Sequence, residues 1–122
     1  MVLLCIAWQT HAYAGPESTV TWVTATAYNS VRGQTDSTPW TAAWGDRLSP
    51  DMRVIAVSRD LLGEGWLSRG TRVRIEGLEG EYTVLDKMNA RFSNRIDVYM
   101  GSDLESARRW GVREVQIEWT RP

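Results

Sequence analysis

Asp86 and Asp97 are the residues of this 122-residue chain whose types and spacing could do chemistry. They stand eleven residues apart, each at or inside a β-type segment, and the polar, basic loop Lys87-Met88-Asn89-Ala90-Arg91-Phe92-Ser93-Asn94 joins them. A hairpin-like connection would bring both carboxylates to one place. A carboxylic acid can protonate a glycosidic oxygen near neutral pH if burial or a nearby like charge raises its pKa. Alternation puts Ile96 and Val98 on one face of their strand and Asp97 and Tyr99 on the other, so Asp97 can face a groove while its neighbours pack. The competing structural reading makes Asp97 an acceptor that ties backbone N–H groups together. Lys87, the only lysine, follows Asp86 and either pairs with that carboxylate or is a solvated loop residue.

Other catalytic groups are scarce. The only histidine, His11, and the only cysteine, Cys5, fall in a stretch that reads as a removable leader. The apolar run Val2–Trp8 is too short to span a bilayer, and Ala12-Tyr13-Ala14 fits the small-x-small cleavage pattern. Residues 1–14 are therefore expected to be a signal peptide and residues 15–122 a single domain. The protein is expected to be exported to the periplasm, the outer membrane surface or the medium, with no transmembrane segment once the leader is removed. Fourteen basic against fifteen acidic residues leave the chain near neutrality, which argues against nucleic acid as a partner. Without His and Cys, and with no calcium-loop spacing among the carboxylates, no metal and no cofactor is expected.

Positioning falls to short elements. Thr19–Tyr28 alternates and is rich in Thr, Val, Trp and Tyr, the signature of a strand. Val54–Val57, Thr71–Glu76, Glu81–Leu85, Arg95–Met100 and Glu114–Trp119 read as further strands, the last with Val115, Ile117 and Trp119 inward. Arg59–Leu62 could make one helical turn. Ser102-Asp103-Leu104-Glu105 fits a capping box with Ser102 at the N-cap, and the helix it opens would set Leu104, Ala107 and Trp110 on one face before stopping at Gly111. Six short strands and one helix predict a mainly β fold, a small closed barrel.

These landmarks, in order, resemble the 3D (three-aspartate) domain, found at the C-terminal end of membrane-bound lytic transglycosylase A and in stand-alone secreted proteins. The resemblance runs from Val23 to Ile117. Thr24–Tyr28 is similar to the family's opening strand, Gln34–Pro39 with Thr41-Ala42 to its "TD…P…TA.G" loop, and Gly70–Ile75 to its "GT.V.I" strand. Asp86 and Asp97-Val98-Tyr99 match its second and third aspartates, and Ala107–Gly111 matches its closing "A..wG". Two positions depart. Ser58 stands where the first aspartate is expected, with Asp60 two residues on, and Lys87-Met88 replaces a Gly-Gly turn.

The resemblance implies a six-stranded double-psi β-barrel with one C-terminal helix that acts on peptidoglycan glycan strands. Asp97 would be the catalytic acid/base and Asp86 its tuning neighbour, cleaving between N-acetylmuramic acid and N-acetylglucosamine. In such a reaction the muramyl 6-hydroxyl attacks in place of water, and one carboxyl group acts first as acid and then as base. Tyr28, Asp36, Thr41, Trp44, Lys87 and Tyr99 are the expected substrate contacts. In the large transglycosylase a second domain walls the groove, so here the groove is either open or completed by a partner domain or protein. The alternatives are a glycan-binding module that no longer cleaves and a hydrolase of another polysaccharide.

Overall fold

The computed structural model describes residues 18–30 and 41–120, so the expected leader and Asp36 lie outside the described residues. Six strands build the fold: β1 (Ser18–Tyr28), β2 (Val54–Val57), β3 (Arg72–Ile75), β4 (Glu81–Lys87), β5 (Arg95–Tyr99) and β6 (Arg113–Thr120). They close in the order β1-β5-β2-β4-β3-β6. The pairs β1/β5 and β2/β4 are parallel, and the other four neighbours run antiparallel. A single α-helix among the described residues, α1 (Leu104–Trp110), precedes β6, and one 3-10 turn (Arg59–Leu61) follows β2. The mainly β, six-stranded closed barrel with one C-terminal helix is the architecture the sequence predicts.

Period-two patterning fills the barrel. Val23 and Ala25 of β1, Ile55 and Val57 of β2, Val73 and Ile75 of β3, Val84 of β4, Ile96 and Val98 of β5, and Val115, Ile117 and Trp119 of β6 form one buried cluster. β2 is buried on both faces, which suits its unbroken apolar sequence. Its outer side is covered by the segment after Thr41: Ala42 and Leu48 pack with Val54 and Tyr99 in a second, smaller cluster.

Two local expectations differ from the structure. β4 and β5 are not a hairpin, because β2 lies between them and pairs with both. The helix is capped by Asp103 rather than Ser102: the Asp103 carboxylate accepts from the Ser106 amide at 3.0 Å and from its hydroxyl at 2.6 Å. Leu104, the first residue of the helix, is half exposed, while Trp110 is buried and donates from Nε1 to the Ala25 carbonyl at 3.2 Å.

Candidate active site

Two ladders put the aspartates in one row. Ala56 faces Asp97 across the antiparallel β2/β5 pair and Asp86 across the parallel β2/β4 pair. Directly paired residues share a face of the sheet, so both carboxylates rise from the outer surface with one methyl group between them. Their backbones are about 10 Å apart, two strand spacings. Thr26 faces Asp97 across β1/β5 and extends the row.

Asp86 reaches that row through an irregularity. Val84 points into the core, and strict alternation would point Asp86 there too. The register slips between Ile55, which faces Val84, and Ala56, which faces Asp86, so Leu85 is an extra residue on β4. A one-residue insertion reverses the facing of every later residue in the strand and turns Asp86 outward.

The two carboxylates meet different surroundings. Asp97 Oδ1 accepts from the Thr26 hydroxyl at 3.0 Å. Burial pushes Asp97 above the usual carboxylate range. The Thr26 hydrogen bond and the Arg95 charge oppose that push, and the Asp86 charge adds to it. The raised pKa expected of a catalytic acid is thus present at Asp97, with burial ahead of the like charge as its cause. Asp86 accepts at Oδ2 from the Tyr28 hydroxyl at 3.2 Å, and at Oδ1 from the backbone amides of Ala43 at 2.8 Å and Lys87 at 3.0 Å. Burial, followed by the charges of Asp86 and Asp97, holds the Tyr28 phenol far above its ordinary value, so Tyr28 serves as a neutral donor.

Ala43 is presented by a tight turn. The Ala42 amide donates to the Asp46 carbonyl at 2.7 Å and the Gly45 amide to the Ala42 carbonyl at 2.9 Å. Gly45 takes φ +93, a left-handed conformation that glycine adopts without steric cost. Arg69 holds the turn from outside, donating from Nε and Nη2 to the two Asp46 carboxylate oxygens at 3.0 and 2.5 Å.

The remaining expected contacts are spread around this row. Tyr99 is buried, its hydroxyl hydrogen-bonded with Ser30 Oγ and its ring 5.3 Å from that of Tyr28, so it backs Tyr28 from behind. Trp44 is half-buried against the barrel core, and Lys87 Nζ lies 5.3 Å from its ring centre; the backbone of Lys87, not its ammonium, contacts Asp86. Thr41 is exposed and bridges to Arg47. Asn89 Oδ1 accepts from the Arg91 amide at 3.0 Å, which caps a turn.

Ser58, at the first-aspartate position, is buried and accepts from the Arg95 amide at 3.0 Å, while Asp60 accepts from the Asn94 amide at 2.9 Å. Burial acts to raise the Asp60 pKa, but its bonds from the Ser58 hydroxyl and the Asn94 amide outweigh that and hold it low. Ser58 and Asp60 therefore fix the start of β5, two residues ahead of Asp97. Thr26, Ala43 and Ala56 were not among the expected site residues. Thr26 was legible as the strand neighbour of Tyr28 on one face. An alanine methyl and a loop amide carry no comparable signal.

Among the described residues no group of three or more His, Cys, Asp or Glu side chains could hold a metal ion, and no helix is long and apolar enough to cross a membrane. Compared with known proteins, the chain matches no family model and no curated sequence.

Proposed function

We propose that this barrel is an exported, 3D-domain-like enzyme that cleaves peptidoglycan glycan strands without hydrolysis. The observation that carries the reading is the placement of Asp97: on the outer face, beside Asp86, and raised by burial, as a general acid requires. Protonated Asp97 gives its proton to the oxygen linking muramic acid C1 to the next glucosamine. The C1–O bond breaks and the alcohol leaves. The Asp97 carboxylate then takes the proton of the muramyl 6-hydroxyl as that oxygen bonds to C1, closing a 1,6-anhydro ring and restoring the acid. No water enters, so one acid/base residue suffices. Asp86, with three protein donors on it, acts as a fixed negative charge beside the developing positive charge on the sugar.

Those same three donors favour a second reading, a glycan-binding module in which Asp86 is structural. The two readings separate on purified peptidoglycan: the first predicts anhydro-muropeptides in solution, the second predicts retention of the protein with no released products.

A further inference from the structure

Several arginines of the barrel have an acceptor close by. Arg69 pairs with Asp46, Arg108 and Arg109 with Glu105, Arg113 donates to the carbonyls at the end of α1, and Arg53 and Arg59 donate to the Glu79 and Met88 carbonyls. Arg91 and Arg95 differ. Their guanidinium carbons lie 4.7 and 5.0 Å from the ring centre of Phe92, and among the described residues neither has a carboxylate within 4.0 Å. The Nε of Arg95 is buried and has no hydrogen-bond partner. Carboxylates of adjoining elements are already engaged: Asp60 by the Asn94 amide, and Glu114 by the hydroxyl of Thr24, which faces Arg95 across β1/β5.

Arg95 lies two residues before Asp97 on the same strand face, about 7 Å along β5, roughly the span of a sugar ring with its substituent. A guanidinium held against an aromatic face keeps its flat fork and matches a carboxylate in two-point contact.

We propose that Arg95, stacked on Phe92 beside Arg91, is a carboxylate-binding subsite that seats an acidic substituent of the glycan next to Asp97. The inference rests on the glycan-cleaving reading and adds its substrate class: strands bearing carboxylates rather than neutral ones. It also couples binding to chemistry. Asp97 is faced by Thr26 and Tyr28 from β1, Asp86 from β4 and Arg95 from its own strand, and Arg95 is the cation among these. A carboxylate on Arg95 offsets that cation's hold on Asp97, so the acid gains proton affinity as the glycan seats.

The test is calorimetric titration of the Asp97→Asn protein, which binds without turnover. The two probes are a tetrasaccharide of alternating N-acetylglucosamine and N-acetylmuramic acid with free lactyl carboxylates, and the same tetrasaccharide with those groups reduced to alcohols. The acidic probe should bind roughly 10- to 100-fold tighter, the range of a charge-assisted two-point bond, and adding Arg95→Gln should abolish the preference. In the Asp97→Asn protein without the Arg95 change, the Arg95 Nε–H resonance should move with the acidic probe and stay with the reduced one. Equal binding, a preference that survives Arg95→Gln, an unmoved resonance, or no binding of either probe overturns the inference. Cleavage of both glycans at equal rates would remove this subsite and leave the proposed function standing. An Arg95-dependent preference in a protein that releases no products would do the reverse.

Discussion

Asp86 and Asp97 face the same residue, Ala56, from the two sides of β2, and no other pairing in the barrel puts two aspartates on one rung. The separation between them is therefore set by two ladders and one methyl group. Ala56→Val should crowd that row, where Ala56 is already almost fully buried. Overpacking costs about 1–3 kcal/mol, so the variant should melt lower but remain folded. Its glycan cleavage should drop at least tenfold, beyond what the lost stability explains. Full activity in a folded Ala56→Val protein, read by product release beside circular dichroism, would show that the row is not where the reaction occurs.

The raised Asp97 pKa fixes the sign of two pH effects. Cleavage needs the protonated acid, so it should fall as pH rises through the raised value. An acid with a higher pKa folded than unfolded binds its proton more tightly when folded. Its favourable contribution is complete below the ordinary carboxylate range and is lost as pH rises through the folded value. Asp97→Asn should therefore melt no lower than the parent at neutral pH and show a flatter stability-versus-pH curve. Thermal melting from pH 3 to pH 8 checks this, and a variant several degrees less stable at neutral pH would mark Asp97 as a structural acceptor.

Alternation was enough to read the barrel and the outward direction of Asp97, because Ile96 and Val98 fill the core on either side of it. The same rule fails at Asp86, which shares the parity of buried Val84. Its outward direction depends on the extra residue at Leu85, which the alternation of β4 alone does not mark. The interleaving of β2 between β4 and β5 was hidden for a similar reason: a short apolar strand with four buried residues carries no mark of its neighbours. The helix cap moved because Ser102 and Asp103 both suit the position, and Asp103 can hold two Ser106 donors at once.

The bulge itself can be tested. Deleting Leu85 removes the extra residue and leaves Val84 and Asp86 consecutive, so Asp86 should keep its place opposite Ala56 and its outward direction. The deletion variant should fold at neutral pH and keep its cleavage, melting lower because Leu85 no longer packs against the Val54 and Tyr99 cluster. A variant that folds only in acid, as an unpaired carboxylate driven into the apolar core would require, would contradict the assigned register.

Arg69 acts on Asp86 at a distance, through the turn that presents the Ala43 amide. The pair with Asp46 is exposed at the arginine, so Arg69→Gln should leave overall stability almost unchanged. The Ala43 amide should nevertheless exchange with solvent faster, and raised salt should produce part of that effect in the unaltered protein by screening the pair. Unchanged exchange at Ala43 would mean the turn holds its place through the bonds of Ala42 and Gly45 alone.

Tyr28 and Asp86 should be separable from Asp97 by the size of their effects. Tyr28→Phe removes one of three donors on Asp86 and should lower cleavage by about tenfold, the scale of one hydrogen bond. Asp86→Asn removes a charge that raises the Asp97 pKa, so the pH at which activity declines should move down. Because burial is the larger cause, the move should be modest. A pH profile that shifts upward in Asp86→Asn would contradict the pairing.

The central claim, that Asp97 is the acid/base of a non-hydrolytic glycan cleavage, meets its most direct test in mass spectrometry of soluble products from purified peptidoglycan. The protein should release 1,6-anhydro-muropeptides, and Asp97→Asn should release them roughly 100- to 10,000-fold more slowly, the usual contribution of general acid catalysis. Products with reducing ends, or anhydro products undiminished in Asp97→Asn, would contradict it.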